Sequence, residues 1–330
     1  MQLSALKKLV YCHSTPGAES EVFALLTEQW QAAGWNTRYL GRYAVLAERP
    51  MLRRHAPTIL VCAHADSPGY IISSIADGIG TAVPLGAPVC KRPNQKVNAL
   101  SSSGKTVVSI SDTGQGEVTF PTVPGLQRGD RLAFRPSWRH SADGRVQAPF
   151  LDNRAGCFLL TQLAQVLPPA LPANIVLAAT GGEEFTGFGA NVLARAVPAD
   201  LVLCLDATYS SEEQGICLGG GPVLTLSDRS VLISPAVHQC LAELCRSWKL
   251  PLQVEVYNYS GTDARAFPLA GNPALVLPLL IPSEGNHSPK ETIDCADLSA
   301  CLELLTRLCS DSEAQAALLA EPSASGGPRP

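Results

Sequence analysis

Asn174-Ile175-Val176-Leu177-Ala178-Ala179-Thr180-Gly181-Gly182-Glu183-Glu184 is the stretch on which the reading of the fold turns. Its unbroken apolar run predicts a strand buried on both faces, and the two glycines turn the chain outward at the strand's carboxyl end, leaving two adjacent carboxylates there. Open α/β sheets keep their ligands at that end. Neighbouring carboxylates repel, so a pair held there calls for a cation close by, or for one member kept ready to take a proton. Taken alone, a Glu-Glu pair opening a surface helix is the plainer reading, and the other strand ends decide between the two.

Working outward, Thr58-Ile59-Leu60-Val61-Cys62-Ala63 predicts a second buried strand, which delivers His64 and Asp66 at its end. A metal-binding imidazole needs a second group to fix its tautomer, and a carboxylate two residues on can supply it. Asp200-Leu201-Val202-Leu203-Cys204-Leu205-Asp206 is a third such strand, again ending on a carboxylate. Asp152, in Phe150-Leu151-Asp152-Asn153-Arg154, stands where the N-cap of the helix Ala155 to Val166 belongs. Ala274 to Ile281 is a last apolar strand, with Pro278 implying an edge position or a break, and His287-Ser288-Pro289-Lys290-Glu291 lies beyond it. The strand rule therefore gathers His64, Glu184, Asp206 and His287 at one edge of one sheet, with Asp152 at an adjoining helix start. Two imidazoles and three carboxylates are the ligand mix of two divalent ions bridged by a carboxylate.

Residues 67–147 differ in texture. Short β-rich pieces are separated by Gly, Pro, Asn and Asp without a helical pattern, which predicts an inserted all-β module shaped as a small barrel or sandwich, concerned with packing or access. The division expected is a discontinuous α/β catalytic domain, 1–66 and 148–310, around a 67–147 β-barrel-like insertion. Residues 311–330, rich in Ala, Ser, Gly and Pro, are expected to form a disordered tail. Of the 330 residues 46% are hydrophobic and 16% charged, with a net charge of -4 and no basic run, which argues against nucleic acid and anionic membranes as partners. No stretch reads as a membrane span or a cleaved leader, so the cytoplasm is the expected compartment. The eleven cysteines lie scattered in apolar contexts with no C-x-x-C pair, which suits reduced core thiols.

The order of motifs is also recognisable. Ala63-His64-Ala65-Asp66, Leu151-Asp152-Asn153-Arg154, Glu183-Glu184, Asp206-Ala207-Thr208, Gly261-Thr262-Asp263-Ala264 and His287-Ser288-Pro289-Lys290-Glu291 together resemble the cytosolic metallo-aminopeptidases of the glutamyl and tetrahedral (TET) type, over roughly residues 1–310. The resemblance implies a mixed sheet with helices on both faces, a zinc-peptidase-like αβα sandwich, carrying the small all-β insertion. It implies two divalent ions per subunit, zinc first and cobalt or manganese as alternatives. His64 and Asp206 would hold one ion, Glu184 and His287 the other, and Asp152 would bridge. Glu183 becomes the general base and Asp66 the residue orienting His64. Two such ions ~3.5–4 Å apart would acidify a shared water, the nucleophile, and polarise the scissile carbonyl. The implied activity is removal of the amino-terminal residue of short peptides, by a homo-oligomer that is a dimer or a dodecamer of dimers.

The chain departs from that pattern in the loops. His64-Ala65-Asp66 is followed by Ser67-Pro68 instead of Glu, and Pro282-Ser283-Glu284-Gly285-Asn286 stands where an Arg-Tyr pair is common. No ligand is lost, but the residue cleaved is left open. Glu284 could favour a basic side chain, although a solvated loop residue is the plainer reading. A deacylase or amidase for a small N-acyl amino acid, and a catalytically silent scaffold, are the competing functions.

Overall fold

The structure, a computed structural model, describes residues 2–49, 55–90 and 93–320. Helices α1 (Ser4–Tyr11) and α2 (Ser20–Ala32) lead to the hairpin of β1 (Asn36–Leu40) and β2 (Ala44–Glu48), and then to β3 (Thr58–His64). Next come β4 (Gly69–Ala76), β5 (Ile79–Leu85), β6 (Gln95–Ser101), β7 (Gly104–Asp112), β8 (Val118–Pro121) and β9 (Arg131–Phe134). These six close on one another as a barrel. The hairpin β10 (Arg139–His140) and β11 (Arg145–Ala148) precedes α3 (Leu151–Val166), β12 (Asn174–Thr180), α4 (Phe188–Ala196), β13 (Leu201–Tyr209) and β14 (Val223–Ser227). The chain continues through α5 (Pro235–Trp248), β15 (Gln253–Val256), a 3₁₀ turn at Asp263–Arg265 and α6 (Ala266–Leu269). It then forms β16 (Leu275–Glu284), β17 (Glu291–Asp294), α7 (Cys295–Ser310) and α8 (Ser312–Leu319).

An eleven-stranded mixed sheet is the frame, with β12, β3, β13 and β16 adjacent and parallel at its centre. The apolar runs make this possible, because each central strand is covered on both faces. Ile59, Val61 and Ala63 of β3 join one core with Leu6, Phe23, Leu160 and Leu305 from α1, α2, α3 and α7. Leu60 and Cys62 join a second core with Leu193 and Phe267 from α4 and α6. Each large aliphatic residue buried this way contributes roughly 1.5–3 kcal/mol before conformational entropy is set against it. His64 continues the parity of Leu60 and Cys62, and Asp206 continues that of Val202 and Cys204. Both ligand candidates therefore emerge on the α4 and α6 side, where that layer stops.

The expected αβα sandwich with an all-β insertion is present, and the barrel has its own core of Tyr70, Ile72, Val97, Ile110, Phe120 and Leu132. Two details differ from the sequence reading and one agrees with it. The β10–β11 hairpin pairs with β17 in the main sheet, so the barrel strands end at Phe134 and not near 147. Pro278 does not break β16, which runs through it opposite Cys204, but its other side is unpaired among the described residues, because β14 reaches only Leu279 and Leu280, so the proline takes the local edge position expected of it. Ser312–Leu319 is helical where disorder was expected: Asp311 caps it by accepting from Glu313 N (2.9 Å) and Ala314 N (3.1 Å), and Ala314 and Leu318 are buried. Those contacts give the segment a partner that composition alone does not reveal. Residues 321–330 of the expected tail lie outside the described residues. Among the described residues no helix is long and apolar enough to cross a membrane.

Candidate metal centre

Thr180 of β12 is in register with His64 of β3, and Leu205 of β13 with Ala63, so β12 and β3 end side by side next to Asp206, while β13 runs on past that expected end to Tyr209. His64 Nε2 lies 3.1 Å from Asp206 Oδ1 and 3.3 Å from Asp152 Oδ1. The other oxygen of Asp152 faces the second imidazole, with His287 Nε2 3.5 Å from Asp152 Oδ2 and 3.4 Å from Glu184 Oε2. The five residues read from sequence as ligands thus converge, and Asp152 stands between the two imidazoles with one oxygen toward each. They open into a cavity of about 190 Å³, whose wall also includes Glu183, Tyr209, Ser260, Thr262 and Asn286.

Local structure explains the placement. After β12 the chain turns sharply, with Gly182 O accepting from Thr186 N and Gly187 N, and Gly181 N donating to Tyr43 O. Gly189 packs against this turn so closely that a Cβ there would fall 2.4 Å from Gly181 O and 2.5 Å from Gly181 N. The turn leaves the amides of Glu183 and Glu184 facing inward, where they donate to Asp66 Oδ1 (3.0 Å) and Oδ2 (3.1 Å). Asp152 does not cap α3. It lies in an irregular first turn (φ -79°, ψ 105°), with Phe150 in the left-handed region (φ 69°) at the N-cap, and its amide donates to Glu291 Oε2 (2.8 Å). His287 also has a left-handed backbone (φ 63°), and its amide donates to Glu291 Oε1 (3.0 Å). Asn286 Nδ2 donates to Asp152 Oδ2 (3.2 Å). The barrel reaches the site as well: Val89 N donates to His287 O (2.7 Å), and a Cβ on Gly86 would sit 3.0 Å from Glu184 O.

One role shifts from the expectation. His64 Nδ1 lies 3.2 Å from the backbone carbonyl of Asp66 and 3.7 Å from its carboxylate. The carbonyl therefore orients the imidazole, while the carboxylate, 0% exposed, is committed to the two amides of the Glu-Glu turn. Sequence reasoning missed Glu291, Asn286 and Asp263. Glu291 and Asp263 sat in plain view within His287-Ser288-Pro289-Lys290-Glu291 and Gly261-Thr262-Asp263-Ala264, but spacing gave no way to tell a ligand from a residue that holds one. Asp263 accepts from Thr180 Oγ1 and ties the cavity wall to the end of β12.

The electrostatics are those of crowded acids. Burial pushes Glu183 and Glu184 well above the usual carboxylate range, with Asp206 and Asp263 adding to the first and Asp152 to the second. Burial pushes Asp263 up to about 7. Burial would lower His64, but the carboxylates of Asp206 and Asp152 outweigh it and hold the imidazole well above its ordinary value. Burial opposes ionisation of Asp152, and the adjacent imidazoles of His287 and His64 reverse that and draw it below the carboxylate range.

The donor set fits divalent cations. Asp152 Oδ1 and Glu184 Oε1 are buried without a hydrogen-bond partner, a costly arrangement unless a cation takes their lone pairs. Ligand atoms of His64, Asp152 and Glu184 lie within 4.8 Å of one another. Imidazole with carboxylate suits zinc and its neighbours in the first transition row.

Comparison with known proteins points the same way. Residues 122–304 match the family model described as M42 glutamyl aminopeptidase. The chain is 26% identical over 300 residues to a glutamyl aminopeptidase of Lactococcus lactis, covering 80% of this chain and 83% of that one. It is 25% identical over 289 residues to a lysyl aminopeptidase of Pyrococcus furiosus, covering 78% and 82%. Among solved structures, an aminopeptidase from the archaeon Desulfurococcus kamchatkensis superposes with a TM-score of 0.87 at 22% identity, covering 96% of both chains. A TET peptidase of Pyrococcus horikoshii, which can assemble into a tetrahedron or a large octahedral shell, superposes with a TM-score of 0.85 at 20% identity, covering 94% and 100%.

Proposed function

Because the chain belongs to the M42 glutamyl aminopeptidase family and is a metallo-aminopeptidase, we propose that it removes the amino-terminal residue of short peptides with two divalent ions held by the five converging side chains. The observation that carries this reading is the division of Asp152, whose Oδ1 faces His64 and Oδ2 faces His287. His64 and Asp206 hold one ion, Glu184 and His287 the other, and Asp152 is shared. Zinc is the first candidate, with cobalt and manganese as alternatives. When bound, paired divalent ions acidify a water and polarise a carbonyl oxygen.

The remaining work falls to the chain. Glu183 lines the cavity beside these residues and is assigned to none of the ions, so its carboxylate is the group that takes a proton from the attacking water and passes it to the leaving amine. Asp66 fixes the amides of Glu183 and Glu184 and so holds base and ligand in a constant relation. The Asp66 carbonyl fixes the His64 ring. A homo-oligomer follows from the likeness to TET peptidases, and the buried thiols of Cys62, Cys157, Cys204, Cys301 and Cys309 support a reducing compartment, the cytoplasm.

The test is a panel of aminoacyl amides, short peptides and N-acyl amino acids, assayed with chelator-stripped protein reloaded with zinc, cobalt or manganese. Turnover of free-amine substrates, dependent on reloading, is expected. Turnover confined to blocked amines would make the protein a deacylase.

A further inference from the structure

We propose that Glu291 is a positioning residue that sets the spacing between the carboxylate of Asp152 and the imidazole of His287. The inference rests on the two-ion reading above. Its starting point is a contrast among the ligand candidates. His64 and Asp206 lie within regular strands, whose ladders hold their backbones. Asp152, Glu184 and His287 lie off the strands. Asp152 sits in an irregular turn behind the left-handed Phe150, and His287 is itself left-handed, a backbone that a non-glycine residue keeps only when its surroundings over-determine it.

Each off-strand segment is held in the same way, by one buried carboxylate spanning two amides. Asp66 does this for Glu183 and Glu184. Glu291, 2% exposed, does it for Asp152 (2.8 Å) and His287 (3.0 Å), residues 135 positions apart in sequence but joined here through a single side chain. Glu291 is itself anchored. It opens β17, opposite Ala148 of β11, and the following Thr292 pairs with Glu284 of β16. The sheet thereby dictates the position of one carboxylate, and that carboxylate dictates two ligands. Partners that orient metal ligands in this way are typically worth ~10–100-fold in metal affinity.

The molecule carries a matched control. Asp297, likewise buried at 0% exposed, accepts from Gly219 N (2.8 Å) and Gly221 N (2.7 Å), both outside the ligand segments. Glu291→Gln keeps the volume but turns one acceptor into a donor facing an amide, and Glu291→Asp keeps the charge but is one methylene too short to span both. Full-length wild type, both variants and Asp297→Asn are stripped with chelator and titrated with cobalt(II) alone. Affinity is read by calorimetry and ligand geometry by the cobalt visible spectrum. Both Glu291 variants are expected to bind about 10–100-fold more weakly with an altered spectrum, and Asp297→Asn to lose thermal stability at unchanged affinity and spectrum. Wild-type affinity and spectrum in either folded Glu291 variant would overturn the proposal, as would equal weakening in Asp297→Asn. Hydrogen exchange on stripped wild type needs no variant: the amides of Asp152 and His287 are expected to be protected, and fast exchange at both would overturn it. If wild type itself took up no cobalt, the two-ion reading would fall instead.

Discussion

Asp152→Asn is the most informative single change, because the surroundings of Asp152 dictate how the new amide must sit. Asn286 Nδ2 donates to Oδ2, so the substituted side chain keeps its carbonyl oxygen there and turns its NH2 to the Oδ1 position. That position is 3.3 Å from His64 Nε2 and otherwise unpartnered. On the proposed assignment, the ion between His64 and Asp206 would then lose its third ligand outright, while the one between His287 and Glu184 would keep a neutral oxygen. At a free-ion concentration of 100 Kd each site stabilises the fold by about 2.7 kcal/mol. A ~100-fold weaker first site contributes only about 0.4 kcal/mol, so the variant forfeits roughly 2.3 kcal/mol of metal-dependent stability. For a chain of this length that corresponds to a metal-induced rise in Tm smaller by about 3 °C. Differential scanning fluorimetry of stripped and reloaded protein, with elemental analysis of bound metal, reads both quantities. One ion retained and one lost is expected. An unchanged rise in Tm would refute the bridging role, and equal loss of both ions would refute the orientation set by Asn286; in the second case Asn286→Ala combined with Asp152→Asn would behave no differently from Asp152→Asn alone.

Glu183→Gln should retain two ions by elemental analysis while kcat falls about 10²–10⁴-fold, and near-native turnover would remove it as the proton carrier. Gly189→Ala drives a Cβ into the backbone of Gly181; an overpacking cost of about 1–3 kcal/mol is expected by chemical denaturation, with a larger proportional loss in kcat/KM because the displaced turn carries Glu183. His13 is lowered to about 4 by burial, against a smaller opposing pull from Glu21. Its neutral form is the folded one, so its contribution is complete above pH 6.5 and is lost as the unfolded chain protonates between pH 6.5 and 4. At pH 5 the loss is about 2 kcal/mol. It is read as the difference between wild type and His13→Gln in unfolding at pH 7 and pH 5, and no difference between the two pH values would refute the assignment.

Much of this site could be read from the chain because ligand and scaffold share one signal. Thr58 to Ala63, Asn174 to Ala179 and Leu201 to Leu205 are apolar runs, and the polar residues that follow each run are conspicuous, although β13 itself continues past Asp206 to Tyr209. The residues that hold the ligands give no such signal. Asp66 resembled the partner of His64 because the two are close in sequence, yet its carboxylate bonds amides 117 and 118 residues away. Glu291 likewise reaches back 139 residues to Asp152. Pairing was hidden for the same reason: alternation in Arg145–Ala148 predicts a strand without saying whether β17 or the barrel will accept it. Asp311 and Leu318 make a helix of a segment that its composition marked as tail, because capping and a buried leucine count for more than an average over residues.

The contact between Val89 and the carbonyl of His287, together with the fit of Gly86 against Glu184, ties the small barrel to two segments of the candidate site. It meets from outside the two residues proposed to share one ion, as a buttress does a wall. Any clamp on the barrels, whether a neighbouring subunit or a bound protein, would stiffen that corner, and a slackened barrel would loosen one ion ahead of the other. On the two-ion proposal, association state and metal occupancy would then be two readings of one adjustment.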